Sequence, residues 1–398
     1  LVEAICRLIE QVPPAPDSKS SRDPLLSPIA PFRAINIGAG RPVGLIDFIE
    51  AIEKATGKDG KDLYAEWKEY LRGDYRRRTA QLEARQVAGE QIASVGFANF
   101  YPTFSPDGKT IAYTSNKEGD YFFQSSLYVY DVATKKEELL QSGVRSALSW
   151  SPDGRRIYYA RHSRDNEHWS NYSDLYVYDL DEREETRLTH GRRAASPALS
   201  RDGKRLAYVS GSDGTLNLFV MDVDGKNMRR LTDYANGEQV YAPSWSPDGS
   251  TILFDYSIAD GRDLATVPAD GGAVTFLLQT KDDERNAVYA PDGASIVFAS
   301  DRTGIFNLYR YTPATKETVQ LTNVLGGAFM PSVAPGGAVA FSSYTSTGYK
   351  LSFLAAPAPI ADAPAYERTA APVERGELVA GATDGTFDWN ALRKYDDT

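Results

Sequence analysis

Cysteine is almost absent from this chain: Cys6 stands alone in 398 residues, so no intramolecular disulfide and no cysteine zinc site can form, and the compartment stays open. Histidine is nearly as scarce. His162, His168 and His190 fall in one stretch, none at helical metal-binding spacing, and no Gly-x-Ser-x-Gly nucleophile elbow occurs. No catalytic residue, metal or cofactor is therefore expected, and the chain is not expected to be an enzyme. No run of about eighteen uncharged apolar residues exists, which excludes a bilayer-spanning helix. Basic residues are the minority, 44 Lys and Arg against 54 Asp and Glu, for a net charge of −10. That balance argues against nucleic acid as a partner. The chain begins at Leu1 and shows no basic segment followed by an apolar stretch, so any targeting signal is expected to have been removed or never to have belonged to it.

What the chain has is a repeat. Ser105-Pro106-Asp107-Gly108, Ser151-Pro152-Asp153-Gly154, Ser200-Arg201-Asp202-Gly203, Ser246-Pro247-Asp248-Gly249, Ala290-Pro291-Asp292-Gly293 and Ala334-Pro335-Gly336-Gly337 recur every 44 to 49 residues. Proline presets φ for the first central position of a type I turn, aspartate tolerates the second, and glycine takes the positive φ that follows. Turn geometry alone dictates such aspartates, so they are read as scaffold and not as ligands.

A bulky residue precedes each turn, as in Trp150 and Trp245, and an alternating apolar strand follows it, as in Ile157-Tyr158-Tyr159 and Ile252-Leu253-Phe254. A third strand reads Leu127-Tyr128-Val129 in the first repeat and Leu218-Phe219-Val220 in the third. A fourth is marked by Leu188-Thr189, Leu231-Thr232 and Leu321-Thr322, or by Leu139-Leu140 and Leu277-Leu278. Four short strands repeated six times predict a mainly β fold, a six-bladed β-propeller of four-stranded blades with a small α-rich N-terminal region. The sixth repeat runs out after its third strand, whereas residues 90–96 resemble the fourth strand at 137–143. The N-terminal strand is thus expected to complete the last blade.

These turns, with Ser300-Asp301-Arg302-Thr303-Gly304 and the Leu-Thr endings, resemble the TolB-like propellers over roughly residues 90 to 356. The resemblance implies a binding propeller of the bacterial cell envelope, or the propeller domain of a larger peptidase or hydrolase. Residues 1–57, with Asn36-Ile37-Gly38, Pro42-Val43 and Phe48-Ile49-Glu50-Ala51, are similar to the C-terminal tail of NAD-dependent uronate 4-epimerases. The Gly-rich pyrophosphate turn of that family is missing, so NAD is not expected. Residues 58–88 read as a helical connector resembling the closing helix of gluzincin-like peptidase domains. Leu63, Trp67 and Leu71 form its stripe, and Arg76 to Arg78 its solvated face. The ring is assigned to 89–356, with 89–96 as closing strand, and 357–398 to a Pro/Ala-rich linker with an aromatic tail.

Strand order puts the six turns on one face of the ring and the longer second-to-third and inter-blade loops on the other. Binding specificity is expected on that loop face. Tyr121, Phe122 and Phe123 in one loop, and His168, Trp169 and Tyr172 in the next, are expected to form an aromatic cluster beside blades one and two. Arg145, His190, Arg192, Arg193 and Arg285 sit in or beside inter-blade loops and suit carboxylate or phosphate recognition at the channel mouth; Arg302 joins them as a candidate. The function expected is a non-catalytic scaffold that binds protein or ligand through this face. The expected location is periplasmic or cell-surface, or cytoplasmic if the epimerase-like segment reflects its origin. An epimerase fusion fragment is the remaining alternative.

Overall fold

The structure is a computed structural model that describes residues 53–54, 57–164, 169–258 and 260–366. The epimerase-like segment, apart from a few of its last residues, and the aromatic tail lie outside the described residues, as does His168. The chain divides into two compact units, 1–80 and 81–398. Helix α1 (Gly60–Ala84) makes up most of what is described of the first. Asp59 caps it, its Oδ1 accepting from the Lys61 N–H at 2.8 Å. The expected stripe is only partly buried: Leu63 is buried, but Leu71 is 39% exposed. Of the basic run, Arg77 and Arg78 are not simply solvated, since both pair with Asp74 one turn back. No helix among the described residues is long and apolar enough to cross a membrane.

In the second unit β1 (Glu90–Ala93) precedes six blades. Blade one is β2 (Asn99–Phe104), β3 (Thr110–Ser115), β4 (Ser126–Asp131) and β5 (Glu137–Ser142). Blade two is β6 (Ser149–Trp150), β7 (Arg156–Ser163), β8 (Tyr172–Asp179) and β9 (Glu184–Arg187). Blade three is β10 (Ala194–Leu199), β11 (Arg205–Gly211), β12 (Leu216–Asp222) and β13 (Arg229–Arg230). Blade four is β14 (Gln239–Trp245), β15 (Thr251–Ser257), β16 (Asp263–Pro268) and β17 (Thr275–Leu278). Blade five is β18 (Glu284–Tyr289), β19 (Ile296–Ser300), β20 (Asn307–Thr312) and β21 (Glu317–Gln320). Blade six is β22 (Ala328–Val333), β23 (Val339–Thr345) and β24 (Gly348–Leu354). Each blade is an antiparallel meander from inner to outer strand, and β1 pairs with β24 as the sixth blade's outermost strand, Glu90 opposite Phe353 and Ala93 opposite Leu351.

Second strands such as β3 and β19 are buried on both faces because a neighbouring sheet covers each side. Their residues fill six apolar clusters, among them Ile111 and Tyr113 with Ala340 of blade six, and Leu253 with Phe298 and Tyr309. The Leu-Thr pairs follow the fourth strands instead of lying in them. Thr232 Oγ1 accepts from the Leu218 N–H at 3.0 Å and donates to Asn217 Oδ1 at 2.9 Å, and Thr322 does the same with Leu308 and Asn307. Thr189 bonds Leu175 and Asp174 alike. These threonines fix where the inter-blade loop leaves.

The turns hold themselves. Ser246 Oγ donates to Asp248 Oδ1 at 2.6 Å and accepts from the Thr251 N–H, while the Ser250 N–H donates to the same Oδ1. Ser105, Ser151 and Ser200 repeat the pattern. Seams between inner strands carry a second kind of bond. Ser149, Ser244 and Ser332 accept the backbone N–H of Leu199, Tyr289 and Phe104 in the next blade, and the indoles of Trp150 and Trp245 donate to the carbonyls of Thr103 and Ala198. Only the seam between blades five and six lacks the side chains for it: Val288 and Val333 occupy those positions, and a cavity of about 150 Å³ lies there.

Removal of β1 by deletion of residues 90–95 leaves the edge of β24 unpaired and strips Ala93 and half-buried Ile92 from the apolar cluster they share with Leu351 and Phe353. The expected cost is about 3 kcal/mol in urea unfolding. An unchanged midpoint would show that β1 does not close the ring.

Candidate functional site

The inner strands surround a central channel of about 860 Å³. Each inner strand except β6 bulges four residues before its turn, where Tyr101, Ser196, Ala242, Asn286 and Met330 take φ between 48° and 57°. A bulge bends the strand and leaves a residue unpaired in the ladder, and all five of these residues line the channel. At the turn face the rim is Pro106, Pro152, Arg201, Pro247, Pro291 and Pro335. Arg201 replaces the proline of the other five turns, and its Nη1 donates to the Pro291 carbonyl at 2.7 Å, from blade three to blade five.

At the loop face the lining includes Tyr101, Tyr241, Arg262, Arg285, Phe329 and Tyr349. The Arg262 guanidinium stacks 4.0 Å from the Tyr241 ring centroid and donates to Asp255 at 3.4 Å. Arg285 forks onto Asp283 and lies 4.6 Å from the Phe306 ring. Burial raises the pKa of the Tyr101 hydroxyl, while the charges of Arg262 and Arg145 oppose that rise. The phenol is thus a neutral donor facing two cations.

Of the expected basic residues, only Arg285 lines the channel, and Arg145 is exposed beside it. His190 and Arg192 are exposed. Arg193 is drawn off the channel by Tyr172: its guanidinium lies 4.4 Å from that ring and donates to the hydroxyl at 3.1 Å, which lowers the tyrosine's pKa. Arg302 is structural, bonded to buried Glu284 at 3.0 Å and stacked over Phe298 and Tyr309. Arg201 and Arg262 were not expected. The third repeat's departure from Ser-Pro-Asp-Gly was the one signal for Arg201.

The aromatic loop residues are exposed: Tyr121 by 61%, Phe122 by 62%, Phe123 by 59% and Trp169 by 81%. Tyr121 and Phe123 stack at 5.8 Å, and Phe122 lies 4.9 Å from Phe97. A further run joins Phe100, Tyr349, Tyr344, Phe329 and Phe306 at 4.7 to 6.0 Å across blades one, six and five. The sequence placed the aromatic cluster beside blades one and two; among the described residues the ring contacts run instead from blade one to blades six and five.

With this geometry in hand, sequence comparison is decisive: residues 88–238 and 173–357 match the TolB β-propeller domain family. The chain belongs to that family. Among curated relatives, an uncharacterized peptidase of Bacillus subtilis is 28% identical over 192 residues, 39% of this chain and 29% of its own length. The Tol-Pal system protein TolB of Francisella tularensis is 27% identical over 51% of this chain and 45% of its own length. The chain thus spans less than half of either relative. TolB from Acinetobacter baumannii superposes with a TM-score of 0.51 at 22% identity, covering 59% of this chain and 57% of that one, which shows the fold alone.

Two carboxylates of the TolB-family ring stand out. Burial raises Asp255 to about 6 against the pull of Arg262, and Glu284 to about 7 against the Thr280 hydroxyl and Arg302. Because native Glu284 holds its proton more tightly than the unfolded residue does, the native state binds more protons between about 4.3 and about 7, and stability falls as pH rises through that window. Glu284→Gln removes this titration. Wild-type stability is expected to decline relative to the variant from about pH 4 to about pH 7 in urea unfolding; a constant difference would contradict the assignment.

Proposed function

We propose that this chain is a non-catalytic propeller that binds a protein partner of the bacterial cell envelope through its loop face. The observation that carries the reading is the set of aromatic rings at Tyr121, Phe122, Phe123 and Trp169, each more than half exposed on loops of a rigid ring. Apolar surface of this kind is costly to leave in water, and aromatic anchors dominate protein interfaces. Trp169 also holds φ at 51°, a conformation that side chains rarely adopt without a reason in the surrounding structure. A non-catalytic role is supported by how the ring's carboxylates are engaged: in turns at Asp107, Asp153, Asp202 and Asp248, in a loop clamp at Asp174, and in ion pairs at Asp255 and Glu284.

Kinship with a Tol-Pal system protein favours the periplasm or cell surface. The peptidase relative keeps a second reading in view, in which the ring is the propeller domain of a larger hydrolase. A Ser-His-Asp or His-Glu-x-x-His domain in the complete reading frame would favour it. The epimerase-like segment motivates a third reading and a cytoplasmic origin. Calorimetry with NAD and UDP-sugars is expected to show no heat, and measurable binding would revive it.

The interface is tested by passing envelope extract over the immobilised intact chain and over a Phe122→Ser, Trp169→Ser double variant. The partner retained by the intact chain is expected to fall at least tenfold in the variant, the loss of about 1.4 kcal/mol or more typical of removed anchors. Equal retention would overturn the loop-face reading.

A further inference from the structure

The seam between blades five and six, which lacks the bond that fixes the others, holds an arginine. Strand register pairs Ala112 with Val129, Tyr158 with Val177, Ala207 with Val220, Leu253 with Thr266, Ala340 with Phe353 and, in blade five, Val297 with Arg310. Five blades thus place an uncharged residue where blade five places a cation. Residues paired across neighbouring strands share one face of a sheet. Val297 and Val319, the partners of Arg310 on its two sides, pack in one apolar cluster with Val339 and Phe341 of blade six, so the arginine lies on the face turned to that blade.

That face is hollow. The cavity of about 150 Å³ is walled by Val297, Leu321, Val333 and Val339, and Pro291 and Pro335 of the two turns place it at the turn face. Arg310, Ser295 and Asp292 also line it. Asp292 is exposed, and its Oδ1 accepts from the Ala294 N–H at 2.9 Å. Arg310 is partly buried, and among the described residues it is the one arginine so placed that no carboxylate, carbonyl or ring engages. The Ser295 hydroxyl is likewise without a hydrogen bond among the described residues. Holding part of a guanidinium out of water beside an unfilled apolar cavity costs free energy that a bound partner would offset.

A guest that satisfies both halves of the site carries one negative charge and a compact apolar body. A cavity of this volume takes a body of about benzene size. A carboxylate matches the guanidinium fork with two parallel bonds, and a hydroxyl adds a third donor. Asp292 on the same wall repels a second negative charge and so disfavours a dianion. We propose that the seam between blades five and six is a binding site for a small monocarboxylate with an apolar body of about four to seven carbons. Arg310 holds the carboxylate, and the valines of both blades enclose the body. The site lies away from the loop face and stands independently of the reading given to it. Because both blades wall it, the guest joins them where the ring has no bond of its own, and binding stabilises the folded chain.

Calorimetry of the full chain with benzoate tests the site. Benzoate is expected to bind with a Kd on the order of 0.1 mM. Benzamide, which lacks the charge, and acetate, which lacks the body, are expected to bind at least tenfold more weakly, and saturating benzoate to raise the urea midpoint. Arg310→Val installs the residue that blades one to three carry at this place, and it is expected to weaken benzoate at least tenfold. Val333→Leu, the residue of blade three before its turn, fills part of the cavity and is expected to weaken benzoate while leaving acetate unchanged. No heat with benzoate, equal affinity for benzamide, or benzoate affinity unmoved by Arg310→Val or by Val333→Leu would each overturn the proposal. Benzoate held by the arginines of the channel instead would show itself in that last outcome.

Discussion

The ring depends on a small bond that crosses five of the six seams between inner strands. Apolar packing between twisted sheets is strong but tolerant of sliding, and six sheets related by near-symmetry need something that fixes phase. The serines at 149, 244 and 332 and the indoles of Trp150 and Trp245 supply it by joining neighbouring inner strands at every seam but that between blades five and six. The two devices alternate around the ring. A serine position and a tryptophan position in the same strand, as in Ser149-Trp150 and Ser244-Trp245, serve the seams on its two sides. The channel radius, and hence the reach of Arg201, follows from this spacing.

Structural and binding roles are divided along the strands. The turn face spends its polar groups on itself: each Ser-Asp pair closes its own hairpin, and the Ser246 hydroxyl leads the hydrogen bonds that hold Asp248 at a pKa of about 2. Past the bulges, toward the loop face, polar and aromatic groups are left over. Tyr101 and Asn286 take the left-handed conformation there and line the channel. Backbone irregularity concentrated at one level of the ring is what a rigid scaffold can support and a single hairpin cannot.

The blades were legible in the sequence because each carries its own turn chemistry and its own alternation. Residues 90–96 could be matched to a fourth strand by direct comparison with 137–143. The channel wall was not legible, since it is assembled from single positions contributed by six repeats, and only the closed ring makes neighbours of Arg201 and Pro291, 90 residues apart. Arg193 and Arg302 misled for a local reason. Their guanidiniums are captured by Tyr172 and Glu284, partners fixed by strand pairing and not by sequence distance. The aromatic loop of blade one could be read from Tyr121, Phe122 and Phe123, but its continuation through Phe100 and Tyr349 depends on β24 lying beside β2.

Blades five and six meet without a stitch, yet the segments on either side of the ring fasten just there. Asn323 bonds the carbonyls of Leu82 and Arg85 and pairs with Val87; the Ile360 N–H reaches Gln320, the Tyr366 N–H reaches Thr303, and Arg85 donates to the carbonyls of Ala361 and Asp362. Mechanically, this clasp lies in series before the closing strand. Tension between the flanking segments loads the clasp first, and the β1–β24 ladder bears it only after Arg85 has let go, so the ring carries a sacrificial fastening outside its own seams.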